Sequence, residues 1–139
     1  MSKSEGSVTI NAPIDKVFDA IANPDIVNQI SSASLVGTNG QNGEAGSYAD
    51  WEYLKLRSRT TVSEVKKPNK MVEEMTGPMP GRWIWNLEQD GQAVKVDFCI
   101  EYKVPGGFLG GIADKLFLGS MNQKSLEKTM SGLKDYCEK

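Results

Sequence analysis

The sequence predicts one α+β domain, in which a curved antiparallel sheet of about six to seven strands wraps around a long C-terminal helix. Apolar residues alternate with polar ones from Val94 to Val104, which is typical of a strand with one buried and one solvated face. A stripe of apolar residues at helical spacing follows, from Ile112 to Cys137. Because the strands are grouped together and the helices lie nearer the chain ends, the order favours α+β over a parallel α/β sheet.

The N-terminal elements are a short strand and two short helices. Alternating apolar residues predict the first strand over residues 7–11. Asn11 and Pro13 then form a helix-start signal, because Asn accepts hydrogen bonds from free N–H groups and Pro lacks the N–H that a first turn leaves unused. Apolar residues at helical spacing predict two helices, over residues 14–23 and 24–30.

The middle of the chain, residues 35–104, is strand-like and is interrupted by turn residues. Residues 49–65 form one long extended region, which we interpret as two strands joined near Arg57-Ser58. Asp90-Gly91 is a good hairpin signal between the last two strands. Further turns and loops are predicted at residues 37–43, 67–70 and 77–81.

The long helix supplies the cover that a sheet with one apolar face needs, since it is the only predicted element of sufficient length. A bend is expected in the stretch Gly119-Ser-Met-Asn-Gln, because glycine weakens a helix interior by about 1 kcal/mol. The apolar stripe that should face the sheet consists of Ile112, Leu116, Met121, Leu126, Met130, Leu133 and Cys137.

Composition excludes several classes of function. The 139 residues suit one domain, residues 1–139, with no internal repeat or linker. A net charge of −2 and a pI near 5.2 provide no basic surface for nucleic acid. With no histidine, imidazole metal sites and Ser-His or Cys-His nucleophilic pairs are excluded. Cys99 and Cys137 have no metal-ligand spacing, and the glycines of residues 106–111 form no nucleotide loop, so we expect neither metal nor cofactor.

The sequence also predicts a cytoplasmic location. The N-terminus is polar and has no apolar core of a secretory signal. The most apolar stretch, Phe108 to Met121, contains Asp114 and Lys115 and is shorter than the about 20 residues that span a bilayer. We therefore expect no integral membrane segment and reduced thiols.

Two stretches resemble a known family. Val8-Thr-Ile-Asn-Ala-Pro-Ile-Asp-Lys-Val-Phe-Asp-Ala-Ile-Ala-Asn-Pro-Asp25 is similar to the opening of START-like, birch-pollen-allergen-like (SRPBCC) proteins. Glu101-Tyr-Lys-Val-Pro-Gly-Gly-Phe-Leu-Gly-Gly-Ile-Ala-Asp-Lys-Leu116 resembles the last strand, turn and helix entry of the polyketide cyclase/dehydrase and lipid-transport group. The resemblance runs from about Gly6 to Cys137. It implies a helix-grip fold with a cavity between sheet and helix, but fold does not decide function.

Aromatic and sulfur-containing side chains are the candidates for binding a ligand in such a cavity. Large rings provide contact area, and methionine adapts its shape to an occupant. The same residue types also fill ordinary cores, so packing is the alternative interpretation. The candidates are Trp51, Tyr53, Met75, Trp83, Trp85, Phe98, Ile100, Tyr102, Phe108, Leu109, Phe117 and Met121.

Acid–base chemistry would need a buried carboxylate or tyrosine, and no catalytic residue is assigned from the sequence. Strand alternation places Glu73 and Glu74 on opposite faces, so one of them points inward, where burial would raise its pKa. Which one it is stays open at this point. A solvated face explains such charges more simply, since an unpaired buried charge is costly.

Three functions remain compatible with the sequence. The favoured one is binding or transport of a small apolar or amphipathic ligand: a lipid, a polyketide-like or an aromatic molecule. The first alternative is an enzyme of the cyclase or dehydratase type that uses Glu73, Glu74 or Tyr102. The second alternative is a regulatory adaptor that binds a protein partner in the groove.

Overall fold

The computed structural model describes residues 2–104 and 112–139, with side chains from residue 117 onward in the second range. The elements confirm the predicted α+β order of one strand, two short helices, six further strands and a long helix. They are β1 (Ser2–Ile10), α1 (Ile14–Ala22), α2 (Pro24–Ile30), β2 (Ser34–Thr38), β3 (Tyr48–Tyr53), β4 (Leu56–Lys66), β5 (Lys70–Thr76), β6 (Gly81–Asp90), β7 (Ala93–Tyr102) and α3 (Ile112–Cys137).

The seven strands form one antiparallel sheet in the order β1-β7-β6-β5-β4-β3-β2. Strands β2 to β7 are consecutive neighbours, and β1 joins the sheet beside β7. The helices α1 and α2 connect the two edges, and α3 packs across the inner face. This is the predicted helix-grip arrangement.

Side-chain alternation gives the sheet an inner and an outer face. One row of paired residues on the inner face is Val62, Glu73, Trp83, Ile100 and Ser4. The adjacent row on the outer face is Thr61, Glu74, Arg82, Glu101 and Lys3. Glu73 is therefore the inward glutamate of the pair, whereas Glu74 forms an outer ion pair with Arg82 at 3.0 Å.

Two strand boundaries differ from the sequence prediction. The turn between β3 and β4 lies at Leu54-Lys55, not at Arg57-Ser58, and Tyr53 pairs directly with Leu56. Both turn residues have positive φ, +52° and +64°, a conformation for which glycine and asparagine are the usual signal. Because the turn contains neither glycine nor asparagine, the local sequence does not indicate it.

Strand β1 is longer than predicted and pairs with β7 from its first described residue. Its inner positions include Ser4, which is 2% exposed, and Gly6, so apolar alternation is absent there. A side chain at Gly6 would lie 2.9 Å from the Leu126 side chain of α3. The small residues thus let the helix approach the edge of the sheet.

Helix α3 is continuous through Gly119, so the helix is not interrupted at the expected bend. Its buried positions are Leu118, Asn122, Leu126, Thr129, Met130, Leu133 and Cys137. Met121, expected on the buried stripe, is only partly buried. The predicted positions Leu126, Met130, Leu133 and Cys137 are buried, whereas Asn122 takes the inward position expected for Met121. The side chains of Ile112 and Leu116 lie outside the described part of the helix.

The packing of the interior differs between its two ends. At one end α1, α3 and the sheet form a dense core in which Ile10, Val17, Val94 and Leu133 are each 0% exposed. Toward the other end, a separate cluster surrounds Tyr102 and Leu118.

The two cysteines are free thiols. Within residues 2–104 and 112–139, the helices lack the combination of length and hydropathy required to cross a membrane.

Candidate functional site

A cavity of about 90 Å³ lies between the inner face of the sheet and α3. It is lined by Val27, Ser31, Ala33, Trp51, Tyr53, Leu56, Ser58, Met75, Pro78, Met79, Trp83, Trp85, Phe98, Ile100, Tyr102, Asn122, Ser125, Leu126 and Thr129. The strands β3 to β7 contribute alternate residues, and α3 contributes one stripe. Mostly apolar walls with a few polar groups are the usual composition of a small-molecule site.

Aromatic rings form one continuous part of the wall. The ring centroids of Trp51 and Trp83 are 6.1 Å apart, with a tilt of 42°. Trp83 meets Phe98 edge to face, also at 6.1 Å, and Phe98 stacks on Trp85 at 3.6 Å. Because β6 and β7 are paired in register, the alternation of each strand brings these rings together. The rings support one another, which keeps their faces in fixed positions.

Polar side chains meet where the end of β3 approaches α3. The Tyr53 hydroxyl donates a hydrogen bond to Oδ1 of Asn122 at 3.0 Å. Burial raises the pKa of Tyr53 above its ordinary value, while a contact with the Ser125 side chain partly opposes this and the nearby Tyr102 adds to it. The hydroxyl therefore stays protonated at neutral pH and acts as a hydrogen-bond donor.

A second polar pair ties the aromatic wall to the sheet. The indole N–H of Trp51 donates to the Thr60 hydroxyl at 3.1 Å, and both residues are buried. This bond satisfies the polar atom of a ring that would otherwise be costly to bury. Trp51 is thus fixed both by ring contact and by a hydrogen bond.

Glu73 lies on the inner face between Val62 of β4 and Trp83 of β6. Burial raises the pKa of Glu73 to about 8, and the Trp85 indole partly opposes that rise. The Trp85 N–H makes no hydrogen bond of normal geometry within the described residues. Glu73 is not among the residues that line the cavity. Its carboxyl is therefore mostly neutral at pH 7 and lies beside the cavity wall.

The structure places the sequence-predicted candidates in three groups. Those on the cavity wall are Trp51, Tyr53, Met75, Trp83, Trp85, Phe98, Ile100 and Tyr102. That they contact a ligand stays a prediction. Phe108 and Leu109 lie outside the described residues.

Phe117 and Met121 do not line the cavity, contrary to the expectation for these two residues. Phe117 is 64% exposed, and Met121 borders a shallow surface groove with Lys124 and Lys128. Successive residues of a helix are rotated by about 100°, so a helix that turns Leu118 inward must turn Phe117 aside.

Sequence reasoning missed the polar residues of α3 that line the cavity: Asn122, Ser125 and Thr129. A search for apolar stripes passes over them. The signal that could have found them is spacing, because Leu118, Asn122 and Leu126 follow one another at intervals of four. Val27 and Ala33, from α2 and the segment after it, were also missed because contacts between distant elements leave no local pattern.

The seven-stranded sheet, the long C-terminal helix and the cavity between them define an α+β domain of the helix-grip class. The chain belongs to the polyketide cyclase / dehydrase and lipid transport family, whose sequence profile matches residues 1–138. This confirms the family resemblance of the two quoted stretches. No functionally curated protein matches the chain in sequence.

Solved structures with the same fold have low sequence identity. Protein BH1534 of Bacillus halodurans has a TM-score of 0.76 at 14% identity, covering 99% of this chain and 98% of its own. TTHA0849 from Thermus thermophilus has a TM-score of 0.73 at 15% identity, covering 96% and 95% of the two chains. The Aha1 dimer from Colwellia psychrerythraea gives 0.73 at 16% identity, covering 99% and 97%. At such identities the likeness shows the fold alone.

Proposed function

We propose that this domain binds a small apolar or amphipathic molecule in the cavity between the sheet and α3. The observation that carries the proposal is the wall of contiguous rings from Trp51 to Phe98, which ends at the polar pair of Tyr53 and Asn122. Apolar walls supply contact area, and a small number of polar groups sets the orientation of an occupant. Membership in a family described by cyclases, dehydrases and lipid transport supports a ligand of this class.

The size of the cavity limits the ligand. A free volume of about 90 Å³ is below the 300–1,000 Å³ of pockets that enclose drug-sized molecules. It is also below the roughly 150 Å³ of a cavity that holds one benzene molecule, so even a ligand of one or two rings requires the wall to adjust. A larger occupant requires side chains to move, and Met75 and Met79 on the wall are unbranched and adaptable enough to do so.

Filling the cavity tests the proposal. Ile100→Trp places a large ring on the wall, so we expect it to weaken ligand binding roughly ten-fold or more. Val36→Trp is the matched control, because Val36 is 48% exposed on the edge strand β2. Binding is followed by NMR, using tetralin as the probe and the indole N–H signals of the three tryptophans as reporters. The NMR spectrum also shows whether each variant is folded.

An unchanged tetralin affinity in Ile100→Trp, in a folded protein, would contradict binding in this cavity. Mass spectrometry of an organic extract of the natively purified protein is the complementary measurement. It should release a small apolar molecule in near-stoichiometric amount from wild type and much less from Ile100→Trp.

A second candidate is an enzyme of the cyclase or dehydratase type. The inward position of Glu73 favours it, and catalysis requires its carboxyl to reach the cavity that Glu73 does not line. A carboxyl with a pKa of about 8 can both donate and accept a proton near neutral pH. The test compares Glu73→Gln and Tyr102→Phe with wild type in turnover of polyketide-type substrates. Loss of turnover with retained binding in one variant would support catalysis, and equal turnover in both would contradict this mechanism.

The cytoplasmic location and the role as an adaptor for a protein partner stay predictions. The free thiols Cys99 and Cys137 are compatible with a reducing compartment. Fluorescence microscopy of the tagged protein tests the location. The adaptor role is tested by purifying the protein and asking whether a stoichiometric protein partner comes with it and competes with tetralin for binding.

A further inference from the structure

Asn122 differs from the other polar residues of the cavity because its side-chain oxygen already accepts a hydrogen bond within the protein, whereas its side-chain nitrogen can still donate. Its Oδ1 accepts the hydrogen bond from Tyr53, and the side chain is 8% exposed on the inner stripe of α3. Among the described residues its Nδ2 makes no hydrogen bond. Nδ2 carries two N–H donors, and the residue that bears it lines the cavity.

The pairing with Tyr53 also fixes the direction of the amide. Both residues line the same cavity, one from β3 and one from α3. A donor that is held in place before binding loses little conformational freedom when a ligand arrives. The Nδ2 N–H groups of Asn122, which make no hydrogen bond with the described part of the chain, can thus meet a hydrogen-bond acceptor of a ligand.

The charge of the wall restricts that acceptor. None of the described residues that line the cavity is Asp, Glu, Lys or Arg. An anionic group would lose its hydration without gaining a cationic partner, which is far more costly than burying a neutral oxygen. A ketone, ether or hydroxyl oxygen meets the donors without that cost.

We infer that Asn122 is a specificity-determining residue of the cavity, which selects an uncharged molecule that carries a hydrogen-bond acceptor over the corresponding anion. The inference rests on the proposed function and narrows its ligand class. It separates a neutral oxygenated ring compound from both a plain hydrocarbon and a carboxylate such as a free fatty acid.

The test uses three probes with the same ring system: tetralin, 1-tetralone and tetralin-1-carboxylate. Affinities are measured by NMR titration at pH 7. In wild type, 1-tetralone should bind about three- to ten-fold more tightly than tetralin, as one added neutral hydrogen bond implies. Tetralin-1-carboxylate should bind more weakly than either of them.

Asn122→Leu should remove the preference for 1-tetralone while retaining tetralin binding, which also shows that the variant is folded. If the Asn122→Leu variant does not fold, Asn122→Ala is used instead, because it removes the same donors with a smaller side chain. Asn86→Leu, on the exposed outer face of β6, is the matched control and should keep the wild-type preference.

Each other outcome has a distinct meaning. Equal binding of tetralin and 1-tetralone in wild type would overturn the role of Asn122 but leave the proposed function standing. Tightest binding of the carboxylate would overturn the selection for uncharged ligands. Absence of binding by all three probes would count against the proposed function itself, and the inference would fail with it.

Discussion

At the scale of single residues, Glu73 is the described carboxyl whose pKa departs furthest from its ordinary value. Its neighbours on the adjacent strands are Val62 and Trp83, and burial raises its pKa from 4.5 to about 8. Between those two pH values the folded protein holds a proton that the unfolded chain has released. Stability must therefore fall as the pH rises through this window, and it is unaffected by Glu73 below it.

We expect Glu73→Gln to remove this pH dependence. Glutamine stays neutral, so the variant should match wild type near pH 4 and exceed it increasingly up to pH 8. The limit is ~1.4 kcal/mol per pH unit, and partial access of water to the side chain reduces it. The free energy of unfolding is measured by urea denaturation at several pH values.

Glu88→Gln is the control for this measurement, because Glu88 lies exposed on the same sheet, on β6. Its pH profile should run parallel to that of wild type. A Glu73→Gln profile that also runs parallel to wild type would show that the carboxyl is not held neutral by the fold.

At the scale of elements, the packing of α3 depends on how closely it approaches its neighbours. A side chain at Gly132 would lie 2.9 Å from Cβ and 3.2 Å from the carbonyl oxygen of Ile30 in α2. At Gly119, in the same helix, the nearest atom of the described residues would be the Tyr102 hydroxyl at 3.9 Å, which is an ordinary contact. The two glycines thus differ in their surroundings although they share one helix.

Alanine at these positions should therefore have opposite effects. Gly132→Ala should destabilise the protein by about 1–3 kcal/mol, as expected when packed elements are forced apart. Gly119→Ala should stabilise it by up to about 1 kcal/mol, because alanine is the better helix former. Thermal and urea unfolding of both variants give the comparison, and equal changes of the same sign would contradict this description of the α2–α3 contact.

At the scale of the whole molecule, the fold could be predicted from the sequence because its longest elements repeat clear patterns. The alternation of Val94 to Val104 and the helical stripe of α3 were enough to place sheet and helix face to face. The details that failed carry no such pattern: the turn at Leu54-Lys55 lacks glycine, and the inner positions of β1 are Ser4 and Gly6.

The side chains that line the cavity could be predicted for the strands of the sheet but not for α3. Strand alternation assigns the Trp83 and Phe98 side chains to one face, whatever they contact there. On α3 the apolar residues Phe117 and Met121 drew the prediction, whereas the inward position belongs to Asn122. The spacing of Leu118, Asn122 and Leu126 marks the inward position, but the partner that satisfies Asn122, Tyr53, is known only from the fold.

The unequal interior leads to a last prediction, that stability and ligand binding depend on opposite ends of the molecule. Leu133 is 0% exposed in the dense end of the core, so Leu133→Ala should cost about 2–5 kcal/mol. Met79 is partly buried on the cavity wall, so Met79→Ala should cost less than half as much. It enlarges the cavity, and should therefore improve the affinity for ligands larger than tetralin.

Urea unfolding and NMR titration with tetralin and the larger hydrocarbon anthracene measure both properties in each variant. Leu133→Ala should lower the unfolding midpoint while its ligand affinities stay within about two-fold of wild type, since Leu133 does not line the cavity. If Leu133→Ala shifts the affinities as much as Met79→Ala does, the two ends form one cooperative packing unit. Ligand recognition would then depend on the whole interior, because the cavity could not change shape without the dense core changing as well.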